Sequence, residues 1–262
     1  MSTASSRTAF ITGASSGIGA AFARSLAAKG YNLVLVARRE GRLRTLAEEI
    51  EGRFAVRAEV RPADLSSPDQ VARLGAEVAA LGDLEILVNN AGFGLPAKFF
   101  DTEENSILQM IQVHVTAPVR LCRAALSGMV GRRRGAIINV SSVAAFAAMP
   151  RTVTYSATKA FLNLFSEGLR QELKGTGVRV QALCPGLTRT EFHTRPGFEE
   201  YQKRIPGFLW MTAEDVVRES LDALDKDRAL CIPGSTNRWI AAALRSRLGA
   251  LAVQAVAARF RE

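Results

Sequence analysis

Short apolar runs alternate with stretches of helical spacing almost from one end of this chain to the other. The runs Thr8–Thr12, Asn32–Ala37, Phe54–Val60, Glu85–Asn89, Ala136–Ser141, Val178–Leu183 and Ala229–Ile232 are predicted strands. Most are continuously apolar rather than alternating, as expected when both faces of a parallel sheet are covered. The segments between them carry helical periodicity, Ala20–Lys29 being the first, and proline or glycine punctuates several joins. The pattern contains no internal repeat and no Pro/Ser-rich linker. It predicts the α/β class: one doubly wound Rossmann domain over residues 1–262, with a seven-stranded parallel sheet flanked by helices.

Composition changes this picture little. The 262 residues are 48% hydrophobic and 23% charged, ordinary for a globular enzyme and unlike a disordered chain. Met1–Arg7 is short, polar and Ser-rich and lacks the basic and apolar regions of a secretory signal, so secretion is not expected. Cys122, Cys184 and Cys231 are odd in number, far apart and without CxxC spacing. They suggest neither a metal site nor a disulfide framework, and a cytoplasmic, reducing location is expected. The net charge of +9 includes a cluster at Arg132, Arg133 and Arg134, but no nucleic-acid reading module accompanies it. A solvated basic face, with no nucleic-acid partner, is the expectation.

The first candidate chemistry lies where the first strand runs into Thr12-Gly13-Ala14-Ser15-Ser16-Gly17-Ile18-Gly19. Glycines there let the backbone turn tightly against a pyrophosphate, and the next helix offers unpaired N–H groups and a favourable dipole. This Thr-Gly-x3-Gly-x-Gly spacing, with Asn89-Asn90-Ala91-Gly92 after the fourth strand, resembles the short-chain dehydrogenase/reductase family. The resemblance runs from about residue 7 to about residue 233. It implies cofactor contacts at Gly13, Ser15, Ser16, Gly17, Ile18, Gly19, Asn90, Ala91 and Gly92, and an adenine-contacting pair at Asp64 and Leu65. Where an NAD site commonly carries an acidic residue after the second strand, this chain has Arg38 and Arg39. Two guanidinium groups suit a 2′-phosphate, so NADP(H) is expected over NAD(H).

Tyr155 and Lys159 stand four residues apart on a predicted helix and therefore share a face. A free phenol has a pKa of about 10, and a neighbouring ammonium together with a cationic nicotinamide favours the phenolate. Tyr155 is the expected general acid for carbonyl reduction and base for alcohol oxidation, with Lys159 tuning it and holding the cofactor ribose. Family spacing selects Ser142 over Ser141 as the hydroxyl that stabilises the substrate oxygen. In the family an asparagine usually helps position a relay water on the preceding long helix; the matching residue here is His114. Its ring is either a relay member or a hydrogen-bonded core histidine. The resemblance also places Pro185, Gly186 and Thr188 against the nicotinamide, with Thr190 a weaker candidate.

Residues 187–212 break helical periodicity and correspond to the family's substrate loop; Phe192, Phe198, Tyr201, Phe208 and Trp210 either cover an apolar substrate or anchor the loop. Phe93, Phe146 and Met149 are candidates for an apolar wall. From about 236 to 262 an amphipathic helix is expected, with Ile240, Leu244, Leu248 and Leu251 in its stripe, either packed on protein or in peripheral contact with a membrane. The resemblance implies a small-molecule carbonyl or alcohol substrate and a homodimer or homotetramer. The alternative is a catalytically idle NADP-binding sensor or scaffold.

Overall fold

The computed structural model describes residues 7–95, 97–192, 205–245 and Gly249. Seven parallel strands form one sheet in the order β3-β2-β1-β4-β5-β6-β7, where β1 is Thr8–Thr12, β2 Asn32–Ala37, β3 Ala58–Pro62, β4 Leu84–Asn89, β5 Gly135–Val140, β6 Val178–Leu183 and β7 Leu230–Cys231. The helices are α1 (Gly17–Ala28), α2 (Glu40–Arg53), α3 (Pro68–Ala80), α4 (Glu104–Ile111), α5 (Ala117–Gly131), α6 (Val153–Glu172), α7 (Ala213–Asp225) and α8 (Ser235–Leu244). Apolar side chains of α1, α2 and α7 cover one sheet face, and those of α3, α5 and α6 cover the other. Two buried faces explain why β1 and β5 are buried along their whole length.

Strand order reverses between β1 and β4, so a crevice opens at their carboxyl ends, where an open α/β sheet binds its ligands. The helix that starts there is fixed from below. Phe22 and Leu26 of α1 are fully buried, and each such side chain contributes about 1.5–3 kcal/mol. That packing holds the helix end in place although its N-cap, Ser16, makes no side-chain capping bond.

Two expectations need correction. The third strand does not start at Phe54: α2 continues through Arg53, the Phe54 N–H bonds the Ile50 carbonyl, and the ladder begins at Ala58. Phe54 and Val56 are apolar because they pack against the core below α2, not because they belong to the sheet. The long helix carrying His114 is also interrupted. Between α4 and α5 the chain widens into a π turn over Gln112–Thr116, with the Ala117 N–H reaching back to the Gln112 carbonyl. Pro118 has no N–H for the α-helical bond to the His114 carbonyl, which accounts for the widening.

The described part of the tail packs on its own chain, with Ala241, Leu244 and Ile240 of α8 against Val143 and Phe146. Leu248, Leu251 and the rest of the predicted tail stripe lie outside the described residues. So do Phe198 and Tyr201 of the loop. No described helix is long and apolar enough to cross a membrane.

Candidate active site

A cleft of about 850 Å³ occupies the crevice at the β1/β4 switch. At its floor Gly13 and Gly17 adopt positive φ of 67° and 55°. A Cβ on Gly13 would stand 2.7 Å from Asn90 Nδ2 and 2.8 Å from the Ala91 backbone, so only glycine lets these two loops meet. Thr12 joins them: its hydroxyl accepts from the N–H groups of Asn90 and Ala91 at 3.0 and 3.1 Å. Asn90 Nδ2 returns bonds to the carbonyls of Thr12 and Gly13 at 2.9 and 3.2 Å. Gly19 differs from the other motif residues. It does not line the cleft; a Cβ there would lie 2.3 Å from the Gly13 carbonyl oxygen, so its part is to let α1 sit on the turn.

Ser15, Ser16, Gly17, Ile18, Arg38, Arg39, Asp64, Leu65, Asn90, Ala91, Gly92, Pro185, Gly186 and Thr188 all line this cleft. Arg39 is already engaged: it donates to Ser15 Oγ and Ser16 Oγ at 3.0 and 2.8 Å and pairs with Glu191 at 2.7 Å. Arg42, one helical turn on, pairs with the same carboxylate. Glu40 belongs to α2 and pairs with Arg44, away from the end of β2. Asp64 accepts from the N–H and hydroxyl of Ser66, which shapes the wall after β3.

At the other end α6 brings Tyr155 and Lys159 to the same cleft. The helix is fixed by a buried ladder. Asn89 Nδ2 donates to Asn139 Oδ1 at 2.8 Å, Asn139 Nδ2 to Ser166 Oγ at 2.9 Å, and Ser166 Oγ to the Leu162 carbonyl at 2.7 Å. Ser141 adds a fourth tie, its hydroxyl donating to the Lys159 carbonyl at 2.8 Å. Ser141 is thereby committed to the helix backbone, although both serines line the cleft; the Ser142 hydroxyl accepts from the Ala144 N–H at 3.1 Å. Lys159 is 4% exposed, and its ammonium donates to the Val140 carbonyl at 2.8 Å.

Burial pushes the Lys159 pKa down to about 8. Enclosure pushes Tyr155 up to about 12, with the Ser142 hydroxyl pulling the other way. This differs from the expected lowering by the neighbouring ammonium: in the protein alone Ser142, not Lys159, pulls the phenol down, and desolvation wins.

His114 is 1% exposed and lies edge-on between Phe93 and Tyr155, with ring centroids 5.7 and 5.8 Å away. Its Nε2 accepts from the Phe93 N–H at 3.0 Å, so Nδ1 carries the proton and donates to Thr158 Oγ1 at 3.0 Å. Thr158 in turn donates to the Tyr155 carbonyl at 2.8 Å. Burial, and secondarily the charge on Lys159, holds the imidazole well below its ordinary range. The ring is thus a neutral bridge between the Gly92–Phe93 loop and α6.

The mouth is crossed by the segment after β6. Thr188 is buried, and its hydroxyl donates to the Gly186 carbonyl at 3.1 Å. Thr190 closes on the glycine turn, where a Gly17 Cβ would meet its Cβ at 2.9 Å. Phe192 lies 5.8 Å from the Tyr155 ring and against Gly94. Phe93 also lines the cleft, but Phe146 and Met149 do not; Phe146 packs on α8. Residues that the sequence reading missed are Arg42, whose i+3 relation to Arg39 was available as a signal, and Asn237. The latter fills the space left by the absent Gly186 Cβ and donates to the Pro233 carbonyl at 2.8 Å. Among the described residues no cluster of His, Cys, Asp and Glu has metal-holding geometry.

The short chain dehydrogenase family profile matches residues 7–198. A very-long-chain 3-oxoacyl-CoA reductase of Laccaria bicolor is 38% identical over 179 residues, covering 67% of this chain and 53% of that protein. The chain spans between 53% and 60% of the length of this and two comparable curated relatives. Among solved structures, a short-chain dehydrogenase from Sphingobium yanoikuyae in complex with NADPH superposes with a TM-score of 0.83 at 36% identity, covering 90% of this chain and 92% of that one. A bulky-bulky ketone specific alcohol dehydrogenase from Comamonas testosteroni gives 0.80 at 34% identity, covering 90% of each chain.

Proposed function

This chain belongs to the short-chain dehydrogenase/reductase family, a family of nicotinamide-dependent oxidoreductases, and from that premise we propose that it reduces an apolar carbonyl compound with NADPH. The observation that carries the reading is one cleft: the glycine turn and Arg38/Arg39 line one end, and Ser142, Tyr155 and Lys159 the other. The residues fit the cofactor. Gly13 and Gly17 turn the backbone along the cleft at positive φ, the α1 N-terminus has no side-chain cap, and Arg39 lines the same space. Arg38 and Arg39 would hold a 2′-phosphate, and Lys159 the nicotinamide ribose.

When bound, the nicotinamide supplies hydride to the carbonyl carbon. Ser142 donates a hydrogen bond to the carbonyl oxygen and polarises it. Tyr155, a protonated phenol at neutral pH, gives that oxygen its proton. Phe93, Val113 and Phe192 line the cleft, so an apolar ketone, aldehyde or 3-oxoacyl thioester suits it. Exposed Leu108 and Ile111 on α4 and Val153, Phe161 and Leu164 on α6 support pairing of copies through these helices. Three buried free cysteines support a cytoplasmic location.

The test follows NADPH absorbance with a panel of those three substrate classes, for wild type and Tyr155→Phe. We expect turnover by the wild type and a loss of about 10²- to 10⁴-fold in the variant with NADPH binding retained. Tight NADPH binding without turnover of any class would favour the sensor or scaffold reading instead.

A further inference from the structure

The cleft contains an internal anion at the position where the cofactor's own distinguishing anion is expected. Glu191 Oε2 pairs with Arg39 Nη1 at 2.7 Å, and its other oxygen pairs with Arg42. The same Arg39 reaches Ser15 Oγ and Ser16 Oγ, and all five residues line the cleft. The neighbours of Glu191 fix it there: Thr190 rests on Gly17, and Phe192 rests on Gly94 and the Tyr155 ring. A backbone bond from the Arg189 N–H to the Met211 carbonyl at 2.9 Å anchors the segment from behind.

We propose that Glu191 is a built-in competitor for the 2′-phosphate subsite and so sets how strongly the enzyme discriminates NADP(H) from NAD(H). The inference rests on the reading of Arg39 as a 2′-phosphate ligand. A carboxylate and a phosphate of nearly two negative charges repel each other and compete for the same guanidinium protons. NADP(H) must therefore displace Glu191, whereas a 2′-hydroxyl is neutral and can donate to the carboxylate where it stands. Both arginines hold the Glu191 carboxyl below its usual range, so the competitor is charged throughout the neutral region. The dinucleotide selectivity of the wild type is thus smaller than that of its arginines alone.

The partners are 44–52% exposed on the arginine side and 45% on the glutamate side, so each pair is weak and screened. Two such pairs correspond to about three- to tenfold in affinity. Glu191→Gln keeps the shape of the side chain and the packing of its neighbours while removing the charge.

The experiment titrates NADPH, NADH, adenosine 2′,5′-bisphosphate and 5′-AMP into wild type and Glu191→Gln by fluorescence, at low and high salt, with thermal melts to verify folding. We expect the variant to bind NADPH and the bisphosphate about three- to tenfold more tightly, NADH and 5′-AMP within twofold of wild type, and the gain to shrink at high salt. Unchanged or weaker NADPH binding in a folded variant would overturn the proposal, as would equal gains for NADPH and NADH. If wild type prefers NADPH while the variant is unaltered, Arg39 remains the phosphate ligand and only the competitor role falls. If wild type shows no preference for either phosphorylated ligand over its unphosphorylated counterpart and the variant shows none either, the NADP(H) reading falls with it.

Discussion

His114→Asn separates a structural bridge from a proton relay. In the wild type the neutral ring accepts from the Phe93 N–H and donates to Thr158, both at 3.0 Å, inside a site that is 1% exposed. Its pKa lies well below 6.5, with burial the larger cause and the Lys159 charge the smaller. An unfolded chain takes up a proton at this histidine as pH falls through 6.5, while the folded chain does not. The unfolded state then binds more protons, so folding stability is full above pH 6.5 and is lost below it, by about 1.4 kcal/mol per pH unit until the native ring titrates. Asparagine carries one acceptor and one donor group but no titration. The difference in unfolding free energy between wild type and variant, measured by urea titration from pH 8 to pH 5, is therefore flat above about 6.5 and changes progressively below it, with the wild type losing stability relative to the variant. The other histidine of the chain, His193, is common to both proteins and cancels. Parallel stability curves would refute the buried neutral ring. A limb near pH 6–7 in kcat/KM that the variant lacks would refute the bridge and establish a relay.

Two further perturbations use the same network. Lys159→Met removes an ammonium that burial holds at a pKa of about 8, against an ordinary 10.5, a penalty on the order of 3 kcal/mol on the charged form at pH 7. Losing the bond to the Val140 carbonyl offsets part of it, so calorimetry is expected to show a variant about 1–2 kcal/mol more stable and inactive; a destabilised variant would show that the lysine contributes to folding. Asn139→Ala leaves Asn89 Nδ2 with only the weaker Cys122 sulfur to donate to, removes the donor to Ser166 Oγ and opens a void, costing about 2–4 kcal/mol by denaturant titration; a cost below about 1 kcal/mol would mean that the ladder does not hold α6.

Much of the fold is written locally. β1, β2 and β6 run over the residues that apolar continuity predicts, because strands buried on both faces need nothing else. β3 was misjudged because apolar residues that pack under a helix end read like strand residues. The π turn is invisible to periodicity: α4 and α5 run almost continuously around it, and only Pro118 marks the place where the helical bond fails. Among site residues, the glycine turn and the Tyr155/Lys159 pair are legible as short spacings, whereas the choice of Ser142 over Ser141 rests on the family resemblance. The Asn89–Asn139 pair was not legible, since it depends on β4 and β5 being neighbours in a register that sets Asn89 opposite Asn139. Nor was the pairing of Arg39 with Glu191, for it joins residues 152 positions apart and depends on how the segment after β6 crosses the cleft.

The two perturbed groups at the reacting end suit one direction of proton traffic. A general acid must be protonated at working pH and a general base must not be. In the protein alone, with Tyr155 at about 12 the phenol is almost wholly protonated at pH 7, and with Lys159 at about 8 the ammonium is largely retained. Donation to a carbonyl oxygen therefore starts from the populated form, whereas accepting a proton from an alcohol starts from a rare phenolate. The protein does not change the equilibrium of the reaction, but it sets the pH at which each direction is fast. Reduction is expected to hold its rate across the neutral region and to fall as Lys159 deprotonates above about pH 8. Oxidation is expected to climb with pH over the same interval, and initial rates in both directions between pH 6 and 10 test this. Coincident profiles would mean that one group, rather than this opposed pair, governs both directions.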